Sequence, residues 1–255
     1  MLEFPILCFF AFCAGMIDAV VGGGGLIQIP ALLNAFPAAP AATLFGTNKL
    51  ASVFGTSIAA RSYLGKVDIP WKLVLPAAIS AFAMSFLGAA TVSFVPQNLL
   101  RPVVLFLVVG MAIYTFQKKD FGTIQRTFQF GTRERVLSFL IGGGIGFYDG
   151  LFGPGTGSFL IFLFVRYFAF DFLQASASAK FVNITTNIAA LIFFVPTGNV
   201  LYSIGIPMAI FNMLGAFTGS RIAIKRGATF VRVLFIFLLL ILICKLTLDL
   251  VKIPF

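Results

Sequence analysis

The chain has 255 residues, of which 60% are hydrophobic and only 10% charged, with 33 phenylalanines and a mean hydropathy of +1.05. So few charges cannot clothe a soluble globule of this length, so lipid is the main solvent and the chain reads as an all-α polytopic membrane protein. The surplus of ten positive charges sits singly or at the ends of apolar runs, without the aromatic-interleaved patch of a nucleic-acid binder, and the absence of histidine removes His-based triads and the usual zinc ligand sets.

In chain order, the apolar runs predict membrane segments at 4–20, 26–36, 43–63, 70–95 and 97–116, then 136–152, 158–169, 174–195, 200–222 and 228–250. The first run lacks a basic n-region and leads into Asp18 and four glycines, which argues for a retained segment over a cleaved signal peptide. Cys8, Cys13 and Cys244 lie in apolar runs with neither metal spacing nor a paired framework. Between the two sets of five runs lies QKKDFGTIQRTFQFGTRER, whose Lys118, Lys119, Arg126, Arg133 and Arg135 outnumber Asp120 and Glu134; the positive-inside rule makes it cytoplasmic. Arg61, Lys66 and Lys72, and likewise Arg221, Lys225 and Arg226, then fall on the same side, while Arg101, Lys245 and Lys252 depart from the rule. The expected organisation is a first membrane repeat at 1–116, a basic linker at 117–135 and a second repeat at 136–255, with both termini extracytoplasmic.

GMIDAVVGGGG at 15–25 and GFYDGLFGPGTG at 146–157 superpose at an offset of 131 residues, which matches Gly15 to Gly146, Asp18 to Asp149, Gly22 to Gly153, Gly24 to Gly155 and, further on, Lys49 to Lys180. Thr47 matches Ser178 at the same offset, and Leu87-Gly88-Ala89 resembles Leu214-Gly215-Ala216 at a slightly different one. An odd number of segments per repeat makes the halves inverted across the membrane. That predicts two inverted five-segment repeats with Gly-broken half-helices, about 8–10 membrane segments in all, and the architecture of a secondary transporter.

Lys49 and Lys180 each lie more than a turn inside their helices, where an uncompensated charge costs roughly 2.5–3.5 kcal/mol. Ser176, Lys180, Asn183 and Asn187 recur at helical spacing, and Lys49, Ser52 and Thr56 occupy corresponding places in the first repeat. Two such stripes form an anion cradle, to which Asn48, Thr47 and Ser178 add donors. Backbone N–H groups at Gly23, Gly24 and Gly25, and at Gly155, Thr156 and Gly157, add more at the half-helix starts.

Other readings stand beside this one. Each lysine could simply tie down the aspartate of its own repeat, Lys49 with Asp18 and Lys180 with Asp149. The aspartates could hold the glycine loops or act in proton coupling. Ser52, Thr56, Ser176, Thr185 and Thr186 could bond only their own helix, and Asn183 and Asn187 could serve interhelical bonds. Tyr148 is either a gate or an interfacial anchor, and Gly215 with Gly219 reads as a helix-packing pair. GPGTG at 153–157 lacks the GK[ST] ending of a phosphate loop, so no nucleotide, cofactor or metal is expected.

GMIDAVVGGGGLIQIPAL, TLFGTNKLASVFGT, GFYDGLFGPGTGSFL and ASASAKFVNITTNIAAL together resemble the paired signatures of the sulfite exporter TauE/SafE family, over essentially the whole chain. The resemblance implies transport of small sulfur-containing anions, sulfite or organosulfonates such as sulfoacetate, across the bacterial inner (cytoplasmic) membrane. Its matching positions are Asp18, the glycines, Asn48, Lys49, Asp149, Gly153, Pro154, Gly155, Lys180 and Asn183. The expected function is a multi-pass secondary-active exporter, not an enzyme, coupled to the proton gradient through Asp18 or Asp149. The rivals are an anion channel, an uptake carrier for another small anion, and a membrane scaffold without flux. Its partners are the anion and the bilayer, with no nucleic acid, and the aromatic-rich helices permit a homodimer without requiring one.

Overall fold

Glycine and proline set the helix ends. Gly22 (φ 77°) closes the first helix, α1 (Glu3–Val21), and α2 (Gly25–Ala35) begins three residues on. Pro40 precedes α3 (Ala41–Tyr63) and Pro70 precedes α4 (Trp71–Thr91), positions where a missing N–H costs nothing. Gly153 (φ 89°) and Gly155 (φ 83°) separate α5 (Thr132–Leu151) from α6 (Thr156–Phe168). The Asp171 carboxylate accepts the Gln174 N–H at 2.7 Å and so caps α7 (Phe172–Phe194). The last helix, α8 (Tyr202–Val251), is divided only at Gly227, whose φ of 75° and ψ of −173° are not helical. The computed structural model describes residues 3–92 and 131–251, with positions 109, 113, 115 and 122 between them, and every regular element described is a helix.

Nine of the ten expected segments have a helical counterpart, those at 200–222 and 228–250 as the two arms of α8. Most of the segment at 97–116 and of the basic linker lies outside the described residues, as do Arg101 and Lys252, and α5 begins at Thr132, inside the expected linker.

Among the described residues, α1, α4 and α7 each contain a stretch long and apolar enough to cross a membrane. By contrast α2, with 11 residues, and α6, with 13, are apolar but short. At 1.5 Å per residue they span about 16–20 Å of a hydrocarbon layer about 30 Å thick, as half-helices do. The chain is a multi-pass membrane protein.

Backbone-to-backbone packing brings the helices together. Gly215 and Gly219 of α8 lie on the Phe12 and Met16 carbonyls of α1, and Gly15 of α1 lies on the backbone of Asn212, so a Cβ at any of the three would overlap main chain. Gly142, Gly146 and Gly150 of α5 lie in the same way on Ala77, Ala81 and Ser85 of α4. Small residues at four-residue intervals are what let helices approach this closely where water does not drive them together. Polarity is reversed from a soluble protein: Ile79, Leu140 and Val233 are more than 60% exposed, while Lys180 is fully buried.

Candidate anion site at the two glycine breaks

The two glycine breaks meet. Gly22 lies against Gly157 so closely that a Cβ on either would strike the other's backbone. The contact is fastened by Ser158, whose N–H donates to the Gly22 carbonyl at 3.2 Å and whose hydroxyl donates to the Val21 carbonyl at 2.7 Å.

The end of α1 is capped from three neighbouring helices. Lys180 Nζ of α7 donates to the Asp18 carbonyl, and the Tyr63 hydroxyl of α3 donates to the Ala19 carbonyl at 2.8 Å. The Ser176 hydroxyl of α7 reaches the Ala19 and Val20 carbonyls at 3.2 and 2.8 Å. With Ser158 of α6 on Val21, the last four carbonyls of α1 all find side-chain donors, which a helix end inside a membrane requires.

Charge pairing crosses between the two halves of the sequence. Lys49 Nζ lies 2.6 Å from Asp149 Oδ2, and Lys180 Nζ lies 3.1 Å from Asp18 Oδ2. The alternative in which each lysine ties down its own repeat's aspartate is therefore corrected: Lys49 does not pair with Asp18, nor Lys180 with Asp149. The physical reason is that the breaks cross, so each helix that carries a lysine runs beside the other half's break. The Thr156 hydroxyl donates to Asp149 Oδ1 at 2.6 Å, while Thr56 sits at the hydrogen-bond limit, 3.5 Å from Asp18 Oδ2.

Between these groups lies a cavity of about 20 Å³, lined by Asp18, Gly22, Gly25, Asn48, Lys49, Ser52, Asp149, Gly153, Thr156, Gly157, Asn183 and Asn187. It has room for about one water molecule. Asn48 Oδ1 and Asn187 Nδ2 are buried without a protein partner, so the lining offers an acceptor and a donor not already committed. Among the described residues Lys49 is the only cation on this lining.

Other expected site residues lie outside it. Lys180 is buried against the α1 end, and Thr56 and Ser178 are buried, the Ser178 hydroxyl without a partner. Gly23 faces Leu238, Gly24 packs on the Ala14 carbonyl and the Asp18 side chain, and Gly155 faces Leu26. Thr47 donates to the Thr43 carbonyl at 2.7 Å and accepts the Leu201 N–H at 2.9 Å. Thr185 and Thr186 bond carbonyls three residues back in their own helix, at 2.7 and 2.9 Å, and Thr185 also reaches the Ala78 carbonyl of α4 at 3.2 Å. Tyr148 donates to the Pro154 carbonyl at 2.6 Å and packs edge-on to Phe152 and Phe159, which braces the second break.

Sequence reasoning passed over Tyr63, Ser158 and a buried amide pair in which Asn212 Nδ2 donates to Gln28 Oε1 at 3.0 Å and to the Ala11 carbonyl at 3.2 Å. Gln28 had a visible signal, a lone amide inside an apolar half-helix. Ser158 stands directly after the glycine break. Nothing local marks Tyr63.

Comparison with known proteins places this arrangement in a family. The family model described as Sulfite exporter TauE/SafE matches residues 7–246. The chain is 37% identical to "Probable membrane transporter protein ORF9" of Sinorhizobium sp, over 97% of this chain and 95% of the relative. It is 33% identical to "Probable membrane transporter protein YfcA" of Escherichia coli (strain K12), over 96% of this chain and 89% of the relative. A more distant relative, "Probable membrane transporter protein YdhB" of Bacillus subtilis (strain 168), is 26% identical over 82% of this chain and 86% of its own length. No solved structure matches the chain. The chain belongs to the sulfite exporter TauE/SafE family.

Proposed function

We propose that the protein is a secondary-active carrier of small sulfur-containing anions, sulfite or organosulfonates, in the bacterial inner membrane. Export coupled to the proton gradient is the proposed physiological direction. The observation that supports this most directly is the crossed pair of lysine–aspartate bridges at the meeting point of the two glycine breaks, in which both lysines and Asp149 are buried and Asp18 is partly so. Lys180 has a structural task at the end of α1, whereas Lys49 is the buried cation that faces the cavity.

The same crossing supports reading the chain as two inverted five-segment halves, 1–116 and 136–255, joined by a cytoplasmic linker at 117–135. Each half contributes the aspartate for the other's lysine, and glycines of each half, Gly15 and Gly88 from the first and Gly142, Gly146, Gly150, Gly215 and Gly219 from the second, lie on helix backbone of the other. A cavity of about 20 Å³ does not admit an oxyanion, so transport requires the half-helices to part at Gly22 and Gly157. Lys49, Asn48, Ser52, Asn183 and Asn187 would hold the anion, with half-helix N–H groups near Gly25, Thr156 and Gly157. Lys180 would hold the α1 end, and Asp18 or Asp149 would carry the proton.

Counterflow of radiolabelled sulfite in proteoliposomes tests the reading, with sulfoacetate, taurine, thiosulfate and sulfate as competitors. Saturable exchange, competed by a subset of these and lost in Lys49→Gln, is expected. An anion channel would give flux without counterflow, and folded protein with no flux at all would leave the scaffold reading.

A further inference from the structure

We propose that the cavity takes its anion together with one proton, carried on Asp149, so that anion and proton cross the membrane in the same direction. This rests on the carrier reading above and adds which aspartate carries the proton and the direction in which the proton moves.

The argument is one of charge. Among the described residues, the charged side chains gathered at the breaks are Asp18 from α1, Lys49 from α3, Asp149 from α5 and Lys180 from α7, and their charges sum to zero. Both lysines are already committed to carboxylates. An entering monoanion therefore adds one uncompensated negative charge to a site buried within apolar helices, where a lone charge is expensive. Asn48, Ser52, Asn183, Asn187 and the backbone N–H groups supply dipoles but no net charge.

Asp149 is the group placed to take up the proton. Its Oδ2 is 2.6 Å from Lys49 Nζ, on the cavity lining, so the carboxylate and the anion compete for one ammonium group. A proton on Asp149 releases Lys49 to the anion, and the neutral acid keeps its place because Oδ1 accepts the Thr156 hydroxyl at 2.6 Å. Asp18 is less suited, because Lys180 is also tied to its carbonyl and lies away from the lining. Anion and proton thus favour each other's binding, and linkage makes the effect reciprocal.

For a monoanion, the empty and loaded carriers then have the same charge, so the cycle is electroneutral. Coupling of this sign sets the inward proton gradient against export, so export runs only where the anion's own outward gradient is the larger, and it carries acid with it. An inward proton gradient alone drives the same carrier toward uptake.

The test uses radiolabelled methanesulfonate, whose charge does not vary with pH, in proteoliposomes of the full chain with equal anion on both sides and an imposed pH gradient. Accumulation on the alkaline side is expected, approaching tenfold per pH unit, unchanged by a potassium–valinomycin clamp and absent from protein-free vesicles. Accumulation on the acidic side, a dependence on potential, or no response to pH in protein that shows counterflow would each overturn the proposal. Absence of counterflow in folded protein would instead sink the carrier reading itself. In Asp149→Asn, the pH dependence of the methanesulfonate KM should vanish and the gradient should drive no accumulation. If that variant does not fold, Asp18→Asn serves: retained alkaline accumulation supports Asp149, and counterflow without it overturns the assignment.

Discussion

Lys49 and Asp149, 100 positions apart in the chain, meet at 2.6 Å with the lysine on the wall of a cavity where two half-helix breaks cross. Removing one partner leaves the other buried and uncompensated, at a cost of about 3–5 kcal/mol. Lys49→Gln should therefore lower stability in detergent and abolish saturable anion exchange. The double variant Lys49→Gln/Asp149→Asn should recover most of the stability without recovering exchange. Thermal unfolding and counterflow measured on the same preparations check both halves of this expectation.

Backbone crossing at Gly22 and Gly157 makes a second prediction. Gly22→Ala meets a positive φ and the Gly157 backbone together, so it should reduce folded yield severely. Gly65→Ala shares the positive φ (73°) but has open space around it, and it should cost only about 1 kcal/mol. Equal losses in unfolding midpoint for the two variants would show that the crossing does not constrain the fold.

The capped end of α1 separates its donors by what each leaves behind. Ser158→Ala removes the side-chain donor to the Val21 carbonyl and should cost about 1–3 kcal/mol. Tyr63→Phe should cost less, about 1 kcal/mol, because Ser176 still reaches the Ala19 carbonyl at 3.2 Å. Denaturation of the two variants side by side gives the order, and the reverse order would contradict the capping scheme.

At the α7 N-terminus, Asp171→Ala should cost about 1 kcal/mol, and Asp171→Asn or Asp171→Ser much less, since either keeps an acceptor for the Gln174 N–H. Transport should be little changed, because Asp171 is not on the cavity lining.

Topology has its own measurement. Two inverted halves of five segments put a reporter fused after Phe255 outside the cytoplasm, on the same side as one fused before Met1. A cytoplasmic reporter after Phe255 would break the inverted arrangement.

The sequence by itself determined the solvent and the places where helices stop. Apolar run lengths state how much chain lies in lipid, and Gly22 and Gly153 follow helix ends while Gly155 precedes a helix start, all three at positive φ values that interrupt the regular turn. The helical spacing of Lys180, Asn183 and Asn187 was legible for the same reason: it depends only on neighbours along one helix. Gly227, whose φ of 75° and ψ of −173° are not helical, divides the two segments expected at 200–222 and 228–250, so that break takes one residue where several were expected. Which lysine meets which aspartate was decided only by tertiary structure. Both halves carry one of each at equivalent positions, so local chemistry fits either pairing, and only the crossing of the breaks brings Lys49 to Asp149 and Lys180 to Asp18. The same crossing leaves Lys49 on the cavity and buries Lys180 against the end of α1, a difference between two equivalent residues that no local pattern contains.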